Sequence, residues 1–132
     1  MFESLGRFKE AITAAQVDIK NWQTHPVMLT QSYTAVGRSH AKLGNFADAA
    51  IAFETAIDEA HNCVLPFLEM IARRDYIVHV LNPQGKRETQ MAGLGECISR
   101  MVLPPEQYSD VLGSGIDAVA AVAAFESSRE SS

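Results

Sequence analysis

One short stretch of this chain is written twice. Leu5-Gly6-Arg7-Phe8-Lys9-Glu10-Ala11 returns as Leu43-Gly44-Asn45-Phe46-Ala47-Asp48-Ala49, with Leu, Gly, Phe and Ala at a fixed offset of 38 residues and an acid before the Ala each time. Ile19 and Ile57 extend the same offset. A period of this size marks a small supersecondary unit that cannot bury its apolar face alone and must stack on its neighbours. Around the second copy the unit is a corner between two helices. Leu29, Tyr33, Val36, Gly37, His40 and Ala41 recur at spacings of three and four, which predicts a helix over 27–43. Gly44 suits the left-handed residue that ends it, Asn45 is a candidate N-cap, and Asp48 falls in the next first turn. Phe46, Ala49, Ala50, Phe53, Ala56 and Ile57 then share one face of a second helix. A loop of two or three residues makes the pair antiparallel neighbours. Small residues at Gly37 and Ala49 allow their backbones to approach closely.

A third, less regular unit follows. Leu65, Leu68, Ile71, Ala72 and Val78 predict a helix over 64–81, Asn82-Pro83-Gln84-Gly85 a turn, and Met91, Leu94, Ile98 and Met101 a helix over 86–102. Pro104-Pro105 stops it. A short helical piece over 106–112 precedes Gly113-Ser114-Gly115, and Ser114 with Asp117 resembles a capping box opening a last helix through Phe125. That helix carries Val119, Ala120, Val122 and Ala123. It is expected to close the end of the stack or to dock as a helical ligand. No stretch alternates with period two, so the chain is expected to be all-α: repeats over 1–103, a closing helical region over 104–126 and a disordered tail over 127–132.

Composition narrows the function. Eleven Lys and Arg against sixteen Asp and Glu leave a net charge of −5, so no general basic face for nucleic acid is expected. Cys63 and Cys97 stand apart from any metal-ligand spacing and are expected to be free thiols. The start, Met1-Phe2-Glu3-Ser4-Leu5, has no basic region followed by an apolar run, and the longest apolar stretch, Ala118 to Phe125, is too short to span a bilayer. A cytoplasmic protein without membrane contact is expected. His25, His40, His61 and His79 include no i,i+4 pair, and Cys97 has no base assigned by sequence. Gly93-Leu94-Gly95 lacks the third glycine of a dinucleotide fingerprint. No catalytic residue, metal or cofactor is therefore expected.

Tyr33-x-x-Val36-Gly37-x-x-His40, followed by Gly44, Phe46 and Ala49-x-x-x-Phe53-x-x-Ala56, resembles the tetratricopeptide repeat. Val36 replaces that family's Leu, His40 its Tyr, and His61 stands near its closing Pro. The match is good over 31–60, partial over 2–19 and weak over 66–101. The resemblance implies a right-handed α-solenoid whose first helices line a concave groove, and a scaffold or adaptor that binds a peptide or partner helix there. Carried onto this chain, the groove positions are Gln31, Thr34, Arg38 and Lys42, then Pro66, Glu69, Arg73 and Tyr76. Arg38, Lys42, Arg73 and Arg74 would make a basic inner wall suited to an acidic or C-terminal peptide. Thr34 and Arg38 stand where the chaperone-binding branch places Lys and Asn, so chaperone-tail binding is not expected.

The first copy keeps its second helix, 7–22, but only a stub of its first. Its apolar stripe of Phe8, Ala11, Ile12, Ala15, Ile19 and Trp22 is expected to lack a partner. Earlier chain in a longer protein, or a second copy in a homodimer, would cover it.

Overall fold

A computed structural model describes residues 6–85, 88–113 and 116–131. Helix α1 runs Phe8–Asn21, α2 Pro26–Lys42, α3 Phe46–Asn62 and α4 Pro66–Tyr76. A π-turn, Ile77–Leu81, and one helical turn, α5 (Asn82–Gln84), prolong α4. Then come α6 (Glu88–Ser99), α7 (Glu106–Leu112) and α8 (Ala118–Ser131). The described residues contain no strand, so the chain is all-α as its periodicity predicts. The stub before Gly6 and Ser114 of the expected capping box lie outside the described residues.

The best-matched pair shows why small residues recur. A Cβ on Gly37 would stand 2.9 Å from the Phe53 ring, so α2 and α3 meet by seating that ring on bare α2 backbone. Phe53, Ala49 and Ala56 are fully buried beside it. Ala49 lies in the same core, but the group that needs the absent Gly37 side chain is the ring of Phe53.

The two corners that follow are capped alike. After α2, the Gly44 N–H donates to Ala41 O (3.0 Å) and the Asn45 N–H to His40 O (2.8 Å). After α3, the Val64 N–H donates to His61 O (3.2 Å) and the Leu65 N–H to Ala60 O (2.8 Å). Both are Schellman ends, which put the residue after the cap at positive φ. Gly44 takes φ +82° freely. Val64 takes φ +55° with a β-branched side chain, which is strained there. Asn45 does not cap α3 with its side chain as expected; its amide lies 3.5 Å from the His40 ring.

Proline shapes the end of α4. Pro83 has no N–H to give the carbonyl four residues back, and a π-turn precedes it, with the Asn82 N–H donating to Ile77 O five residues away. The expected 82–85 turn is therefore one more helical turn, ended by Gly85 at φ +69°. α8 begins where the Asp117 carboxylate accepts from the Val119 N–H (2.9 Å) and the Ser109 hydroxyl accepts from the Ala118 N–H (3.0 Å). It runs to Ser131, so the segment expected to be a disordered tail is helical over 127–131.

α1 packs on α2, α2 on α3, and α3 on α4; α4 also touches α2 and α6, and α6 packs on α8. The main core holds Phe53, Met70, Ile77, Leu94, Ile98 and Leu112, all fully buried. A smaller cluster joins Ala15 and Ile19 of α1 to Val36 and Ala52. The last helix does pack on the third unit, through Gly95: a Cβ there would fall 1.9 Å from the Ala121 carbonyl oxygen. Neither backbone can yield cheaply. Gly95→Ala gains up to ~1 kcal/mol in intrinsic helix preference and loses more to the collision, for an expected net destabilisation of about 2 kcal/mol in urea unfolding.

Candidate binding groove

A cleft of about 380 Å³ separates α2 from α4. Thr30, Gln31, Thr34 and Arg38 form one wall, and Phe67, Leu68 and Ile71 the other. The α2 residues recur at spacings that place them on one helix face. The helices run parallel here, since residues near Gln31 meet Phe67 while Arg38 Nη1 reaches Asp75 Oδ2 at 2.9 Å. Thr34 donates its hydroxyl to Thr30 O (2.8 Å), a bond within α2. Thr30 is 1% exposed, and its own Oγ1 has no hydrogen-bond partner. A buried hydroxyl left so costs about 1–3 kcal/mol.

Of the expected groove residues, Gln31, Thr34 and Arg38 line this cleft. Lys42 is exposed one turn further on and does not line it. Glu69 and Arg73 do not line it either, because α6 covers them. Arg73 Nη1 donates to Gln90 Oε1 (3.0 Å), Arg100 Nη2 to Glu69 Oε1 (3.1 Å), and Cys97 Sγ to Pro66 O (2.9 Å). These contacts pair the start of α4 with the end of α6, so α6 lies antiparallel on the α4 face that corresponds to the cleft-lining face of α2. Tyr76 turns the other way. It is buried, stacks on Phe53 with ring centroids 5.8 Å apart, and donates its hydroxyl to Glu54 of α3 (3.0 Å). Burial first, then that carboxylate, pushes its phenol up to about 12.

The expected basic wall is also absent. Asp75, 2% exposed, is held by Arg38 at 2.9 Å and by Arg74 Nε at 2.8 Å. Arg74 further donates to Leu112 O at the end of α7 (3.1 Å). Glu69, 1% exposed, accepts from Arg73 Nε (2.9 Å) and from Arg100, with His61 Nδ1 3.2 Å away. Two buried acids thus offset the cations that the sequence suggests would face a ligand. The cleft is an apolar wall opposite two threonines, with an arginine already engaged in an ion pair.

Sequence reasoning read Leu68 and Ile71 only as part of a helical pattern and passed over Thr30 and Phe67. Their signal was available: α4 carries more apolar positions than one core stripe needs. The N-terminal stripe is also placed differently. Ile12 and Ala15 are buried, Phe8 is half-buried, and Ile19 packs against the Val36–Ala52 cluster. Within the stripe, Ala15 and Ile19 meet Val36 of α2 and Ala52 of α3. Trp22 alone is exposed, edge-on to the His25 ring at 4.9 Å.

Burial and Glu69 push the Cys97 thiol up to about 12, so it is a thiol at neutral pH and a poor nucleophile. Among the described residues, no three His, Cys, Asp or Glu side chains converge as metal ligands, and no helix is long and apolar enough to cross a membrane. No protein-family model, curated protein or solved structure matches the chain.

Glu69→Ala leaves two guanidinium groups without their carboxylate and is expected to cost about 3–5 kcal/mol in urea unfolding. His79 gives a second prediction. Its half-buried ring stacks on Phe53, with centroids 6.5 Å apart. Burial above all holds its pKa below the ordinary value; Asp75 opposes this, while Lys42, Arg38 and Arg74 add to it. The unfolded chain therefore protonates His79 at a higher pH than the folded one, and stability is lost as pH falls below about 6.5. Urea midpoints measured between roughly pH 7.5 and 5.5 are expected to drop further for the wild type than for His79→Phe.

Proposed function

We propose that this chain is a protein-interaction module of the tetratricopeptide kind. In this reading, helix pairs stack in a right-handed superhelix, and the cleft between α2 and α4 takes a peptide or a partner helix. It is a cytoplasmic scaffold or adaptor that works by binding, with no chemistry of its own. The observation that carries the reading is the cleft itself: exposed Gln31 and half-buried Arg38 stand on one wall, facing the apolar side chains of Phe67, Leu68 and Ile71. The matched corners after α2 and α3, and the ring of Phe53 on Gly37, support the repeat.

The pairing of Arg38 with Asp75 changes the ligand from the one the sequence suggests. Arg38 is bonded to buried Asp75, and the wall it faces, Phe67, Leu68 and Ile71, is apolar. A segment that lays apolar side chains on α4 and a backbone carbonyl against the Gln31 amide fits better. Homo-oligomerisation through α1 has less support, since Ala15 and Ile19 of its stripe are packed against α2 and α3.

A photo-crosslinking amino acid at exposed Gln31 tests the reading in living cells. The expected outcome is a covalent adduct with a different protein. Gln31→Trp, which fills the cleft, should weaken binding of that protein at least roughly tenfold without changing the urea midpoint. A partner captured only from the outer face of α1, at Val17, and unaffected by Gln31→Trp would overturn the proposal.

A further inference from the structure

A second hollow, of about 420 Å³, lies at the end of the molecule where the α3–α4 corner meets the strand of chain after α6. Val64, Phe67, Met101, Val102 and Tyr108 contribute to its lining. Val64 is 74% exposed and Val102 98%, and Phe67 and Leu103 are exposed beside them. Such a group of large apolar side chains at one site is uncommon on a protein that meets only water.

Val64 strengthens the case. The corner after α2 has the same hydrogen bonds and uses Gly44, the residue that geometry favours. The corner after α3 holds a β-branched residue at positive φ and points it outward, where it fills no core. Backbone strain of this kind without a packing return suggests a function for the side chain.

Charge says what the hollow would take. Among the described residues, Arg100 is the one charged group lining it, and its side chain is 39% exposed. Arg100 shares buried Glu69 with Arg73, so one carboxylate faces two guanidinium groups. A guanidinium has five donors, more than its bonds to Glu69 use. A second copy related by twofold symmetry would bring Arg100 towards its equivalent and supply no acid from this lining.

We propose that this hollow docks a protein partner through a segment in which a large apolar side chain stands next to an Asp or Glu. The apolar group sits among Val64, Phe67 and Val102, and the carboxylate meets Arg100. The site is distinct from the α2–α4 cleft, although Phe67 and Leu68 border both.

A phage-displayed library of random dodecapeptides, selected on the full chain, tests this. Enriched peptides are expected to share an apolar residue beside an acid. They should bind roughly tenfold more weakly to Val102→Asp, which alters a fully exposed position, and to Arg100→Gln. Arg100→Lys should restore most of the loss, and Gln31→Trp should change nothing. Val64→Gly should raise the urea midpoint while weakening the same peptides, separating strain relief from binding. Three results would overturn the proposal: no peptide that distinguishes the wild type from Val102→Asp, enriched peptides without an acid, or self-association abolished by Val102→Asp. Peptides lost with Gln31→Trp but kept by Val102→Asp would also overturn it and would favour the cleft instead.

Discussion

Two carboxylates on one helix organise this molecule. Glu69 and Asp75 of α4 are almost completely buried. Burying an ionised carboxylate costs several kcal/mol unless charged donors meet it in good geometry. Asp75 is bonded by Arg38 of α2, with Arg74 of α4 beside it, and Glu69 by Arg73 of α4 and by Arg100 just after α6. Each acid therefore fixes a neighbour in register. Asp75 sets α2 parallel to α4, and Glu69 sets α6 antiparallel across the opposite end. Apolar packing alone tolerates sliding far better than an ion pair of 2.9 Å does.

The same pairs decide what the surfaces offer. Arginines that the sequence places towards a ligand are engaged with buried acids, which leaves the α2–α4 cleft apolar and hydroxyl-lined. At the far end, Glu69 is shared by two guanidinium groups, and Arg100 keeps part of its surface in water. Charge that holds the helices together on one side remains available for recognition on the other.

Much of the fold was legible because it is local. Gly44 and the three-and-four spacing of α2 and α3 report backbone geometry within a few residues. The third unit was less legible because its partners are distant in sequence. Nothing near Glu69 says that Arg100, 31 residues on, will cover it. Carrying the groove positions forward by a fixed offset assumed that α6 repeats the role of α3. Instead, α6 lies on another face of α4, and Glu69 and Arg73 pass from groove to core. Tyr76 was misplaced for a related reason, since its hydroxyl has a partner in Glu54 on α3. Gln31, Thr34 and Arg38 share the cleft wall on α2, in the repeat that matches best. The last helix extends beyond Phe125 although its final residues are Ser-rich, a composition that propensity alone reads as a tail.

Amide hydrogen exchange on the wild type and Asp75→Asn tests the role of α4 most directly. If the buried carboxylate clamps α2 to α4, amides in 30–42 and 69–76 should lose protection together in Asp75→Asn, while those of α6 and α8 keep theirs. Loss confined to α4, or spread evenly over every helix, would contradict that account.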